Sequence, residues 1–201
     1  MLMLKRYLFL SLLCLMATLT KAQTTDTVLL NKLGDFDMAA LTEDTYGAVT
    51  IGESILVDTG KLSPKIRTAF FAKLAKAYDD ADQYGKAINY FEKVAAAEPD
   101  YYVARRALGY LYNDQAEEIQ LKLYRTPAAD PSYARIADAY KKAVLKALPH
   151  LEKAEACDPD DDTLDLIKTL YMNISDRPGL QTLINRLPDL KAKCVDLLDD
   201  K

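Results

Sequence analysis

Along this chain the apolar positions fall at helical spacing, and they recur. Leu74, Ala75 and Tyr78 return as Leu108, Gly109 and Tyr112, each 34 residues on. Ala87, Phe91, Val94 and Pro99 return as Ala147, Leu151, Ala154 and Pro159, each 60 residues on, and Glu92-Lys93 returns as Glu152-Lys153. Steps of three and four keep side chains on one face of a helix. Small residues stand beside large ones on each face: Ala75 by Leu74 and Tyr78, Ala87 by Phe91. Two helices approach to about 8 Å only where one of them offers a small side chain. The pattern therefore predicts helix pairs pressed together at fixed points, with Ala95 on the outer face of its helix. Pro99 cannot continue a helix and turns the chain toward the next pair, where Asp100 is placed to cap the helix that follows.

The run Leu74-Ala75-x2-Tyr78, then Ala87-x3-Phe91-x2-Val94, then Pro99, has Phe71 and Tyr84 at its flanking aromatic positions. It resembles the tetratricopeptide repeat, a 34-residue unit of two antiparallel helices. The resemblance implies an all-α fold, a TPR-like α-solenoid of antiparallel helix pairs. The clear units are 68–101 and 102–160. The second carries 26 residues more than the family pattern. Its one evident breaker is Arg125–Ser132, with Ser132 as a helix cap, so both helices are expected to gain about nine residues, roughly 13 Å each. Tyr112, Ala116, Ile119 and Leu123, facing Ile136, Tyr140, Ala143 and Ala147, would form the seam of an extended helical hairpin. A degenerate unit follows at 161–187, opened by a capping box at Asp162 and Asp165, and 188–199 reads as a C-terminal capping helix. Upstream, Tyr46, Val49, Ile51 and Ile55 mark a lone second helix, and Ser63-Pro64 begins the next one. A helix over Val28–Leu41 is interrupted at Gly34; the structure of 23–43 stays open.

The first 22 residues are of another kind. Lys5-Arg6, an apolar run from Tyr7 to Ala17 and a small-residue close at Ala22 are the order of a secretory signal peptide. The apolar run is short for a membrane span, and Cys14 follows Leu13 rather than the small residue a lipoprotein signal needs. Cleavage after Ala22 leaves one domain, 23–201, with 23 basic and 30 acidic residues, a formal charge of −7. Such a chain is a poor nucleic-acid binder, lacks a polybasic patch for anionic lipid, and has no membrane span in its mature part. Cys157 and Cys194 read as two free thiols at helix positions, although export makes a disulfide between them chemically possible.

Chemistry is scarce. His150, the sole histidine, reads as a partly exposed surface residue, which leaves no hydrolytic triad. There is no phosphate-binding loop and no dinucleotide fingerprint. Asp158–Asp165 lacks the glycine and glutamate of a calcium loop, since Thr163 and Thr169 stand there; it reads as a turn and a cap. The sequon at Asn173–Ser175 carries no weight in a bacterial setting. No catalytic residue, cofactor or metal is expected. What remains is a non-enzymatic scaffold for protein–protein interaction, exported to a bacterial periplasm or cell envelope. The family resemblance implies a concave groove formed by first helices. Ala69, Ala72, Lys76 and Asp80 would line it, then Val103, Arg106, Tyr110 and Asn113; Lys76, Arg106, Tyr110 and Asn113 are the candidate partner-binding residues. The alternative is a structural or assembly subunit of an envelope complex, docked through its protruding hairpin around Leu123, Tyr124 and Tyr133 at the tip. The partner's identity and the oligomeric state stay open.

Overall fold

A computed structural model describes residues 27–195. The signal-peptide segment 1–22 and positions 196–199 of the expected capping helix lie outside the described residues. The described chain is all-α and divides between Ser63 and Pro64 into two compact units.

The first unit holds α1 (27–41), α2 (Thr45–Ile55) and a 3-10 turn, Leu56–Lys61. Helix α1 runs through Gly34 without the expected interruption: an isolated glycine costs only about 1 kcal/mol in a helix, and Leu29, Phe36 and Ala39 bury. In α2 the buried face is Ala48, Val49, Gly52 and Ile55. Tyr46, expected on that face, is exposed, and Ile51 is half-buried. Asp44 caps α2 by accepting from the Gly47 N–H at 2.9 Å.

The second unit stacks three helix pairs: α3 (Pro64–Asp80) with α4 (Tyr84–Ala97), α5 (Tyr102–Arg125) with α6 (Tyr133–Cys157), and α7 (Asp161–Asn173) with α8 (Arg177–Lys191). Every recurring apolar position of the two clear repeats is buried: Leu74, Ala75, Tyr78, Ala87, Phe91 and Val94, and likewise Leu108, Gly109, Tyr112, Ala147, Leu151 and Ala154. Gly109 shows why the small positions are needed. A Cβ there would lie 2.6 Å from Leu151 Cδ2 and 3.1 Å from the Leu151 backbone nitrogen. Ala95, placed on the outer face by spacing alone, is buried too, because α4 packs against both α3 and α5 and so has two covered faces.

The middle pair is the long one. Helices α5 and α6 have 24 and 25 residues, against 17 and 14 in α3 and α4. The gains of seven and eleven residues project the hairpin by roughly 10–16 Å. Its seam runs through Tyr112, Ala116, Ile136, Tyr140, Val144 and Ala147, with Val144 buried where Ala143 was expected. Helix α6 passes through Pro149. Ser132 occupies the cap position of α6 but makes no capping bond; its Oγ and its N–H both turn to Asp130 Oδ1 at 2.7 Å.

The short turns within pairs share one geometry. Glu43, Asp82 and Ser175 sit at φ of 59°, 56° and 57°, in the left-handed region. In each turn the next residue donates its N–H to the carbonyl five positions back, the bond that closes a Schellman motif: Asp44 to Ala39 O at 3.0 Å, Gln83 to Tyr78 O at 2.8 Å, Asp176 to Tyr171 O at 2.9 Å. The third pair is thus built like the others although its small residues are gone. Its caps are Asp160, which accepts from the Thr163 N–H at 2.9 Å, and Asp176, which accepts from Gly179 at 2.9 Å; the Asp162–Asp165 box does not form the cap. Helix α8 runs on through Pro188 to Lys191, so the expected capping helix is the last turn of α8.

Candidate functional site

The predicted groove residues have largely found partners inside the fold. On α5, Arg106 pairs with Asp158 at 3.0 Å and also donates to the Asp158 carbonyl. One turn on, the Tyr110 hydroxyl lies 2.9 Å from Thr163 Oγ1, on the first turn of α7. Asn113 is buried and donates to Glu117 Oε1 at 2.7 Å. Arg106 and Tyr110 therefore meet at the seam where α7 begins, which is how the third pair is fastened to the second. Lys76 lies apart on α3, exposed, in an ion pair one turn along with Asp80. Two atoms on the α5 face stay buried without a hydrogen bond, Arg106 Nε and Asn113 Oδ1.

A cluster of ions closes the far end of the stack. Glu152 is buried and holds Arg186 of α8 in a two-pronged contact, at 2.6 and 3.2 Å. Tyr171 donates to the same carboxylate, and Arg186 reaches the Tyr171 oxygen at 2.8 Å. Burial, then the bonded carboxylate, pushes the Tyr171 hydroxyl well above its ordinary value. Next in sequence, the buried Lys153 pairs with Asp100 at 2.8 Å and donates to the Leu190 carbonyl at 2.8 Å and to that of Lys193. This explains why Asp100 does not cap α5: Tyr101 takes the cap position without a side-chain capping bond, and the buried ammonium takes the carboxylate, since a buried charge needs a partner. Beyond α8 the Val195 N–H donates to the Asp100 carbonyl at 3.0 Å.

Cys157 and Cys194 form a disulfide, Cα atoms 5.6 Å apart, which corrects the reading of two free thiols. The sequence spacing of 37 residues has no helical register to announce it. The bridge joins the last residue of α6 to the segment after α8, and only the return of α8 along α6 brings the two together.

His150 is half-buried rather than a plain surface residue. Its Nδ1 lies 3.3 Å from Arg105 Nη1 and its ring 5.4 Å from that of Tyr112. An arginine can only donate, so Nδ1 accepts. Burial first, then repulsion by Arg105 and Lys146, pulls its pKa down to about 4, with Glu92 opposing. Among the described residues no group of three His, Cys, Asp or Glu is disposed to hold a metal ion, and no helix is long and apolar enough to cross a membrane.

An opening among the described residues lies on the projecting hairpin. A cleft of 640 Å³ lies between the ends of α5 and α6 and the turn after α7. Tyr124, Tyr133 and Tyr140 line it, with Gln120, Lys141 and Asn173 among its polar groups. Tyr124 is 92% exposed. The Gln120 amide fixes the Tyr140 hydroxyl at 3.0 Å. Leu123, Tyr124 and Tyr133 are the tip residues that the hairpin alternative named from the sequence, and all three line the cleft; Gln120, Lys141 and Asn173 did not stand out there as more than helix surface.

No protein-family model and no curated protein matches the chain. Among solved structures, the nearly identical TPR-like repeats of a Podosopora anserina kinesin light chain align with 19% identity over 82% of this chain and 95% of that one, at a TM-score of 0.36. A score so low carries no argument, and the repeat reading rests on the recurrences and packing described above.

Proposed function

We propose that this chain is an exported, non-enzymatic interaction protein of a bacterial periplasm or cell envelope, and that it holds a partner protein through the projecting α5–α6 hairpin. The observation that carries the choice of surface is a contrast. Arg106, Tyr110 and Asn113 are engaged within the fold, whereas Tyr124 and Lys141 at the hairpin cleft are exposed. Interface hot spots are enriched in aromatic residues set in pockets, and the cleft offers three tyrosines. Export is supported by the leader-like segment and by the Cys157–Cys194 disulfide, which persists in oxidising compartments. Protein recovered from the envelope is expected to begin at Gln23 by N-terminal sequencing; a chain beginning at Met1 defeats the export reading.

The concave face is the second reading. It is kept alive by the unpartnered Arg106 Nε and Asn113 Oδ1, which a ligand on that face could satisfy. Affinity capture from the native envelope separates the two. One variant carries Arg106→Ala with Tyr110→Ala; the other deletes Glu117 to Asp138 and joins α5 to α6 by a short loop. With helicity checked by circular dichroism, the shortened variant is expected to lose the captured partner and the double-alanine variant to keep it. The reverse pattern moves the site to the concave face.

A further inference from the structure

Helix α8 and the residues just after it are held to the second pair by different means. Within α8, Leu183 is buried, Arg186 grips the buried Glu152, and the Leu190 carbonyl accepts from Lys153. At 192–195 no side chain is buried. Among the described residues, that segment is fastened to the second pair by the Cys157–Cys194 disulfide and by two hydrogen bonds. One runs from Lys153 to the Lys193 carbonyl, the other from the Val195 N–H to the Asp100 carbonyl at 3.0 Å. Val195 lies beside Tyr101 as an isolated parallel bridge. The segment thus lies over Lys153 and over Asp100-Tyr101 as a strap with a covalent buckle. Of the two cysteines, Cys194 is exposed and Cys157 half-buried.

From this arrangement we infer that the segment is a redox-sensitive strap, closed over Lys153 and Asp100 while the disulfide stands and released when a dithiol reductant opens it. The inference concerns a different surface from the hairpin cleft and does not depend on it. A thiolate of the reductant attacks Sγ of Cys194, the exposed partner. The Cys157–Cys194 bond breaks, and Cys157 leaves as a thiolate that takes up a proton. The reductant's second thiol then attacks the mixed disulfide, which frees Cys194 and leaves the reductant as a disulfide. Two electrons and two protons have then passed to the cysteine pair. Two hydrogen bonds remain to hold four residues that bury no side chain. The net contribution of such bonds is small, and fixing the backbone of each residue costs as much or more, so the strap lets go. Lys153 keeps Asp100 and the Leu190 carbonyl as partners, and α8 keeps Leu183 and Arg186 in place. The opening therefore stops at the end of α8. An oxidising compartment keeps the strap closed, and a dithiol reductant supplied there opens it.

The test uses the mature chain, first oxidised and then treated with dithiothreitol, well below its melting point. Hydrogen exchange of the Val195 amide is followed by NMR, and acylation of Lys153 by mass spectrometry. In the reduced protein the Val195 amide is expected to exchange at least about tenfold faster, and Lys153 to become reactive. The amides of α8 are expected to keep their protection, helicity by circular dichroism to stay unchanged, and reoxidation to restore both readings. A double variant, Cys157→Ser with Cys194→Ser, should behave as the reduced form with or without dithiothreitol, which separates the strap from any other effect of the reductant. Slow Val195 exchange or an unreactive Lys153 after reduction overturns the inference, as does a double variant that stays closed, because the hydrogen bonds then hold the strap by themselves. Loss of α8 protection together with that of Val195 also overturns it, since reduction then unfolds the third pair rather than opening a strap. A disulfide that resists dithiothreitol in the folded protein overturns it as well.

Discussion

At the scale of single residues, the small positions decide how closely the helices lie. Ala87 is fully buried, and Ala96, on the same helix, is exposed. Ala87→Leu is expected to overpack the α3–α4 contact and cost about 1–3 kcal/mol, while Ala96→Leu stays within about 0.5 kcal/mol. Urea unfolding of the two variants checks this, and equal losses would refute the packing assignment. The sequence marked Ala87 by its recurrence, but it misplaced Ala95, because periodicity shows one apolar face and not how many neighbours a helix has. His150 makes a second case. Its pKa falls from 6.5 in the unfolded chain to about 4 in the fold, so between those values the unfolded state binds more protons and stability rises with pH. Acidification from pH 7 should therefore destabilise the protein through this window, before most carboxylates titrate. Chemical denaturation at a series of pH values is expected to show a shallower slope there for His150→Gln. An unchanged slope would mean that the histidine is not held neutral by its burial beside Arg105 and Lys146.

At the scale of elements, the pairs are defined by turns that use no glycine. Glu43, Asp82 and Ser175 adopt the left-handed conformation, where an ordinary residue costs roughly 1–2 kcal/mol, and the closing Schellman bonds accompany it. A reader of sequence looks for glycine at such places; the third pair read as degenerate because the family's small residues are missing from its helices, and its turn is regular all the same. The disulfide belongs to this scale too, since it ties the segment after α8 to the end of α6. For a closed loop of this separation, 37 residues, the chain-entropy argument puts its contribution at about 4 kcal/mol. Thermal unfolding of Cys194→Ser, or of the parent in reductant, should show a melting point lowered by several degrees. The α3–α4 pair, far from the bridge in the stack, should keep its hydrogen-exchange protection. A reduced protein that melts with the oxidised one would show that Lys153, through its bonds to Leu190 and Lys193, holds the segment without the bridge.

At the scale of the whole molecule, the fold class, the 34-residue unit, the long second pair and the acidic balance could all be read from the order of residues. These properties are local or additive. A helical face repeats every three or four positions, a proline stops a helix wherever it stands, and charges sum without regard to position. What the chain brings together across long separations could not be read in that way. Arg106 and Tyr110 looked like free groove residues until α7 was laid against α5 and consumed them through Asp158 and Thr163. Cys157 and Cys194 looked unrelated until α8 returned along α6. Asp100 looked like a cap until Lys153 was buried beside it. The tyrosine cleft exists only because the turn after α7 closes one side of the hairpin. In each case the deciding energy is the pairing or burial of a polar group by a neighbour distant in sequence. Such terms depend on which helices stack, and only the tertiary structure sets that.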